Sequence, residues 1–261
     1  MAIPTLDNVV IESAPEGALG FDVNHPITLE QAQKAFASGF SFCVRYVPRL
    51  ELSLEPIGEP DITFEEANNI LDSGLALFLV QHVSVAGWSA TANKGMRFGK
   101  NAAVYARQCG FPNGVNIFLD LEEVSSTSSA VQIQDYCNEW FDAVEDVGYA
   151  PGVYVGSKNG LNAQQLFIGT KFRHYWHAAS QADPPTPRLG DRGYQMFQPL
   201  NLTTIQRNKL TNVTLIDKIG LGINPAFEID LDFGSITITD VDIDYVVKDQ
   251  RGSTVQWIRR P

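Results

Sequence analysis

A parallel (β/α)8, TIM-like barrel is the fold class this sequence predicts, and three observations predict it. Eight short apolar runs alternate with helix-patterned segments over about 215 residues, the grammar of an α/β barrel. The helical segments open on capping residues and stop at glycines. The first strand, in "GFDVNHPIT", lacks the Gly-rich phosphate turn expected of a doubly wound open sheet, the main alternative.

The elements follow in order. After a polar lead of residues 1–19, "GFDVN" (Gly20–Asn24) reads as the first strand. Thr28, with Gln31 three residues later and a stop at Gly39, marks a helix with a capping box. Phe40–Val47, "FSFCVRYV", is a strand of aromatic and β-branched residues. A second capped helix spans Thr63 to Gly74, and Leu75–Val85 is the third strand. Ala92–Cys109 is a helix, "NIFLDLEE" (Asn116–Glu123) the fourth strand, and Ser129–Val147 the helix after it. Pro151–Gly156 is the fifth strand, with "NAQQLFIG" a short helix. "FRHYWHAAS", "YQMFQPL" and "FEIDLDFGS" supply strands six to eight, with helices short or missing between them. Residues 20–235 therefore form the expected barrel. Residues 236–261 alternate strictly and turn at "DQRGS", which predicts an added C-terminal β-hairpin.

Composition narrows the function. Thirty acidic residues against nineteen basic give a formal charge of −11, which argues against a nucleic-acid or anionic-membrane partner. The opening residues lack a basic n-region and an apolar h-region, and no run approaches a membrane span. The expectation is a chain without a secretory signal, cytoplasmic as synthesised, reaching any outside target by a non-classical route or by lysis. Cys43, Cys109 and Cys137 cannot all pair within one chain and lack zinc-ligand spacing, so they are expected as buried small hydrophobes. No metal or cofactor is implied. Asp240, Asp242 and Asp244 resemble the start of a calcium loop. Tyr245 stands where glycine is required and Arg251 where glutamate is, so a solvated strand face is expected.

The chemistry is expected at the C-terminal strand ends. Asp120 and Glu122 share one face of the fourth strand, roughly 6–7 Å apart, while Ile117, Leu119 and Leu121 share the other. Two carboxylates crowded in a partly desolvated site cannot both ionise freely, so one pKa should rise. Glu122, nearer the strand end, is the candidate proton donor, and Asp120 the charged partner. A purely structural pair held by Arg45 is the alternative on spacing alone. The other mouth candidates are Asp22, Arg45, Tyr46, Gln81, Tyr154, Trp176, Gln198 and Asp230, with Trp88 on a mouth loop as sugar platform or packed ring. Acids, amides and aromatics together are the ingredients of a carbohydrate site. His174 and His177 fall on opposite faces of one strand, and no serine has a G-x-S-x-G setting.

Six motifs in order carry a resemblance: "GFDVN", "FLDLEE", "PGVYVG", "YWHAAS", "MFQ" and "IDLDFG". Over about Gly20 to Ser235 the chain resembles glycoside hydrolase family 25, the lysozyme-type muramidases. It resembles more closely the related glycoside-hydrolase-like domain of unknown function 1906. The resemblance implies Glu122 as general acid, Asp120 as its partner, and Asp22 and Asp230 as further catalytic carboxylates. It implies peptidoglycan or a related N-acetylated amino-sugar glycan as substrate, with the substrate's acetamido group assisting. Gln81-His82 stands where family 25 usually has Tyr-His, and "NHP" follows strand one in place of Ser and an aromatic. The alternatives to a glycosidase are a non-catalytic carbohydrate-binding barrel, and a structural or cargo component of a phage or secretion particle with a protein partner at the hairpin.

Overall fold

A computed structural model describes residues 3–50, 60–179, 186–187, 189, 192–217 and 229–261. Seven strands run parallel in chain order: β2 (Leu19–Val23), β3 (Phe42–Val47), β4 (Ala76–Gln81), β5 (Asn116–Leu121), β6 (Ala150–Val155), β7 (His174–Ala178) and β8 (Met196–Gln198). The ring is closed by β11 (Thr237–Val246), antiparallel to both β2 and β8. The fold is thus an eight-stranded TIM-like barrel with one reversed strand.

That closing strand corrects the expectation for the chain's end. The run Phe227–Ser235 does not supply the eighth strand. Its Ile229–Asp232 forms β10, hairpinned onto β11 and onto β9 (Thr214–Asp217) outside the ring, and Phe227 and Glu228 lie outside the described residues. Residues 236–261 are no appended hairpin either. The edges of β11 are hydrogen-bonded to β2, β8 and β10. The last strand, β12 (Gln256–Arg259), runs between β1 (Val10–Ser13) and the start of β4. The physical reason is that strict alternation suits a strand with one face in a barrel lumen as well as one with a face in water.

The helices are α1 (Leu29–Ala37), α2 (Phe64–Asp72), α3 (Ala92–Gln108), α4 (Ala130–Glu145), α5 (Ala163–Gly169) and the single turn α6 (Thr204–Arg207). Thr28 caps α1 and Gln31 completes the box, as their spacing predicts, and Ser129–Gln132 and Asn162–Gln165 do the same for α4 and α5. Thr63 caps α2, but Glu66 turns inward to another task described below. Among the described residues the last helices are short, in line with the sequence pattern, and no helix is long and apolar enough to cross a membrane.

Two apolar layers hold the fold. Phe21, Cys43, Leu77, Leu79, Ile117, Leu119 and Val153 pack outward against the helices. Phe42, Val44, Phe78, Val80, Phe118, Trp176, Met196 and Val246 fill the lumen. Gly20 and Gly152 make that filling fit, since a Cβ there would stand 2.4 Å from the Phe42 ring and 2.5 Å from the Phe118 ring. Trp257 of β12 joins the lumen cluster, its ring 6.0 Å from Phe42 and 5.8 Å from Phe78. The lumen below the strand C-termini is therefore a packed core, and the polar groups collect above it. Cys43, Cys109 and Cys137 are buried free thiols, and burial raises all three pKa values, Cys109 to about 11.

Candidate active site

The side-chain period of two decides which strand-end residues meet. In the register of β2, β3 and β11, Asp22 lies beside Val44 on one side and Asp242 on the other, all on the lumen face. Two residues above Val44, Tyr46 donates from its hydroxyl to Asp22 Oδ1 at 2.9 Å. From β8, Gln198 Nε2 reaches Asp22 Oδ2 at 3.4 Å, while the Tyr154 hydroxyl donates to Gln198 Oε1 at 2.7 Å. Side chains of β3 and β8 thus meet on the Asp22 carboxylate, with Tyr154 of β6 behind Gln198. Burial, then nearby carboxylates, hold the Tyr46 and Tyr154 phenols well above their ordinary pKa, so both remain donors at neutral pH.

Asp120 is buried on the lumen face of β5, opposite Tyr154 in the ladder, and its charge acts on Tyr46, Tyr136 and Tyr154. Glu122 follows just beyond the strand. Its carboxyl pKa is raised to about 7, first by burial, then by the charges of Glu123 and Asp22. The space it occupies depends on Gly156 at the end of β6: a Cβ there would lie 2.5 Å from Glu122 Oε2 and 2.6 Å from Glu122 Cβ. Glu123 turns the chain with φ +50°, and Ser157 and Lys158 hold its carboxylate at 3.2 and 3.1 Å. Trp88 Nε1 donates to the Glu122 carbonyl at 2.9 Å, and its ring packs 4.8 Å from Tyr136. Of the two roles expected for Trp88, the packed one is observed: it fixes the backbone that carries Glu122.

Four expected mouth residues, Arg45, Gln81, Asp230 and Trp176, lie elsewhere, and strand parity explains the first two. Arg45 cannot face the lumen if Tyr46 does. It is fully buried on the helix side, with Nε 2.7 Å from Glu66 Oε1 and further donations to the carbonyls of Val23 and Pro60. Gln81 likewise faces outward, donating to the carbonyls of Pro48 and Phe98 and accepting from Trp140 Nε1 at 2.7 Å. His82, its neighbour, takes the mouth position instead, stacked 4.7 Å from the Tyr46 ring. Asp230 sits on β10, outside the ring, where Oδ1 accepts from the Asp240 backbone N–H at 3.1 Å.

The carboxylates contributed by the last barrel strand are Asp242 and Asp244, residues expected on a solvated face. Asp244 is fully buried, and Oδ1 accepts from Trp176 Nε1 at 2.9 Å. Trp176 is accordingly part of the lumen core beneath the mouth. The signal that could have found the pair is the spacing D-x-D within an apolar alternation, which equals that of D-x-E at the end of β5. Among the described residues no group of three or more His, Cys, Asp or Glu side chains is arranged to hold a metal ion.

A family model of the Rv2525c-like, glycoside hydrolase-like domain matches residues 32–219, well over half of the chain. The chain belongs to that family. Its fold is shared by the Mycobacterium tuberculosis Tat-secreted protein Rv2525c in complex with L-tartrate, at 16% identity and TM-score 0.56 over 92% of this chain and 99% of that one. The Clostridium perfringens spore cortex lytic enzyme SleM aligns at 13% identity and TM-score 0.52, covering 93% of this chain and 71% of its own. The catalytic domain of endolysin ply40, from bacteriophage P40 of Listeria monocytogenes, aligns at 14% and 0.50, covering 89% and 94%. No curated protein matches the chain in sequence.

Proposed function

We propose that this member of the family is a glycosidase acting on peptidoglycan or a related N-acetylated amino-sugar glycan. The observation that carries the reading is Glu122, an acid with a pKa of about 7 at the barrel mouth, two residues after the buried carboxylate Asp120. A carboxyl group protonated near neutrality is what a glycosidic oxygen needs as it leaves. The names of SleM, a spore cortex lytic enzyme, and of an endolysin support a cell-wall substrate.

In the proposed reaction Glu122 gives its proton to the glycosidic oxygen as the C–O bond breaks. The substrate's acetamido oxygen attacks the anomeric carbon, and Asp120 steadies the positive charge that develops on the acetamido nitrogen. Water then opens the cyclic intermediate, losing its proton to the Glu122 carboxylate. Asp22 and Asp242 line the same mouth, where the phenolic oxygens of Tyr46 and Tyr154 can accept from sugar hydroxyls and the second amide hydrogen of Gln198 can donate to one.

The test is product release from purified peptidoglycan, analysed by mass spectrometry, for wild type beside Glu122→Gln. Muropeptides released by wild type, and reduced by about two to four orders of magnitude in the variant, are the expected result. Reducing ends on the products identify the bond. Glycan retained in a pull-down without any release assigns the barrel to carbohydrate binding without turnover. Neither release nor retention removes the cell wall as the target.

A further inference from the structure

The carboxyl pair Asp22–Asp244 is a feature the proposed reaction does not use. Asp244 lies two residues along β11 from Asp242, which pairs with Asp22, so Asp22 and Asp244 are diagonal neighbours on one face of an antiparallel ladder. Gly20, directly across the ladder from Asp244, carries no side chain to stand between the two carboxyls. After burial, the Asp22 charge is the strongest influence on the Asp244 carboxyl. Both groups are removed from water, Asp22 at 4% exposure and Asp244 at 0%.

The donors around the pair are unequal. Asp22 Oδ1 accepts from Tyr46 and Oδ2 from Gln198, whose amide is oriented by Tyr154. Those contacts suit an anion. Asp244 accepts from Trp176 at Oδ1, while Oδ2, equally buried, has no N–H or O–H of another residue directed to it. Two neighbouring carboxylates without a proton between them repel in surroundings of low dielectric. The charged groups facing Asp244 are Asp22 from β2 and Asp242 on its own strand, both negative. The lumen residues below, Phe42, Val44, Phe78, Phe118 and Met196, are apolar.

We propose that Asp244 Oδ2 carries a proton at neutral pH and donates it to Asp22, making Asp244 the positioning residue that holds Asp22 as a fixed anion beneath the sugar. The proton removes one negative charge from a mouth that already holds Asp22, Asp120 and Asp242. It gives Asp22 a third donor, so the carboxylate is locked from β3, β8 and β11 together. Burial, followed by Asp22 and Asp242, acts in the same direction, pushing the Asp244 carboxyl well above the usual carboxylate range. The consequence for turnover rests on the glycosidase reading; the shared proton does not.

Infrared difference spectroscopy of the free protein at pH 7 tests it, in wild type, Asp244→Asn and Glu122→Gln. Glu122, with a pKa of about 7, contributes its own protonated-carboxyl band at this pH, so the expected result is a carbonyl band that remains in Glu122→Gln and is the component missing from Asp244→Asn. A Glu122→Gln spectrum without a protonated-carboxyl band, or an Asp244→Asn spectrum identical to wild type, overturns the proposal. Denaturant unfolding between pH 4 and 8 gives a second readout. A carboxyl whose proton is held more tightly in the folded state costs stability as pH rises from its unfolded pKa to its folded one. Asp244→Asn should therefore lose up to tenfold per pH unit of the wild-type change in unfolding equilibrium constant. An unchanged slope counts against the shared proton. Asparagine can still donate to Asp22 and accept from Trp176, so peptidoglycan release should fall less in Asp244→Asn than in Asp244→Ala. Equal losses overturn the positioning role. A band that behaves as expected, with no release by wild type, leaves the pair standing and removes the glycosidase.

Discussion

Asp242 of β11 stands directly across the antiparallel ladder from Asp22 of β2, with both side chains on the lumen face. In a barrel of parallel strands, carboxylates reach the mouth only at strand C-termini. Here the closing strand runs backwards, so its N-terminal half enters the mouth and its sequence descends into the core. Asp242 therefore meets Asp22 at the top, Asp244 lies one level lower against Trp176, and Val246 reaches the lumen cluster. A single reversed strand thus brings two acids to a place where Asp120 and Glu122 arrive from the opposite wall.

The first prediction concerns the cost of keeping Glu122 protonated. Its pKa rises from an ordinary 4.5 to about 7 in the folded protein, so the folded state holds the proton more tightly than the unfolded state. Stability from this group is greatest below pH 4.5 and declines as pH rises towards 7, by on the order of 3 kcal/mol in total. Glu122→Gln should abolish that decline. Denaturant midpoints at pH 5 and pH 8 would show the variant gaining on wild type at the higher pH; parallel curves would mean that Glu122 ionises freely.

Gly156 offers a test of the same site through space rather than charge. A methyl group at that position meets the Glu122 carboxyl at 2.5 Å and the Tyr154 ring at 2.9 Å. Gly156→Ala should displace Glu122, at a stability cost of about 1–3 kcal/mol from overpacking. Peptidoglycan release should fall by roughly tenfold or more, because a small misplacement of a reacting group costs rate steeply. Release and thermal unfolding measured together would separate the two effects, and a variant as active as wild type would mean that Glu122 works from another position.

How much of this was legible in the sequence depended on whether a local rule had one outcome or two. The capping box at Thr28 and Gln31 has one outcome, a helix start, and α1 starts there. D-x-E in an apolar run put Asp120 and Glu122 on one face, and the structure keeps them at the mouth. Parity was also available: if Tyr46 faces the lumen, Arg45 cannot, and if His82 does, Gln81 cannot. The end of the chain was different. "TDVDIDYV" alternates identically whether its charged face meets water or a lumen, and only the tertiary pairing of β11 with β2 and β8 distinguishes them.

Arg45 carries a prediction because it belongs to the framework. Its guanidinium pairs with Glu66 at 2.7 Å and satisfies the carbonyls of Val23 and Pro60, all on the helix side of β3. Glu66 in turn accepts from the backbone N–H of Ile27 at 3.1 Å. Arg45→Met leaves a buried carboxylate without its cation, which costs about 3–5 kcal/mol. Adding Glu66→Gln removes the orphaned charge and should recover part of the loss. Urea unfolding of the single and double variants checks this, and a single variant as stable as wild type would show that water reaches the pair.

Trp257 tests whether the chain's end is part of the barrel. Its ring packs between Phe42 and Phe78 at the lumen's lower end, and Nε1 donates to Glu12 Oε1 at 3.2 Å. β12 is tied to β1 by four register pairs and meets β4 at Ile258 and Leu77. If residues 236–261 were a separate hairpin, truncating this side chain would leave the barrel's unfolding unchanged. Because it is a lumen residue, Trp257→Ala should cost about 3–5 kcal/mol and do so in a single cooperative transition. The substitution lies at the opposite end of the lumen from Glu122, so the folded fraction should retain its peptidoglycan-releasing activity per molecule. A calorimetric scan showing two transitions, with the larger unaffected, would return the tail to the status of an appendage.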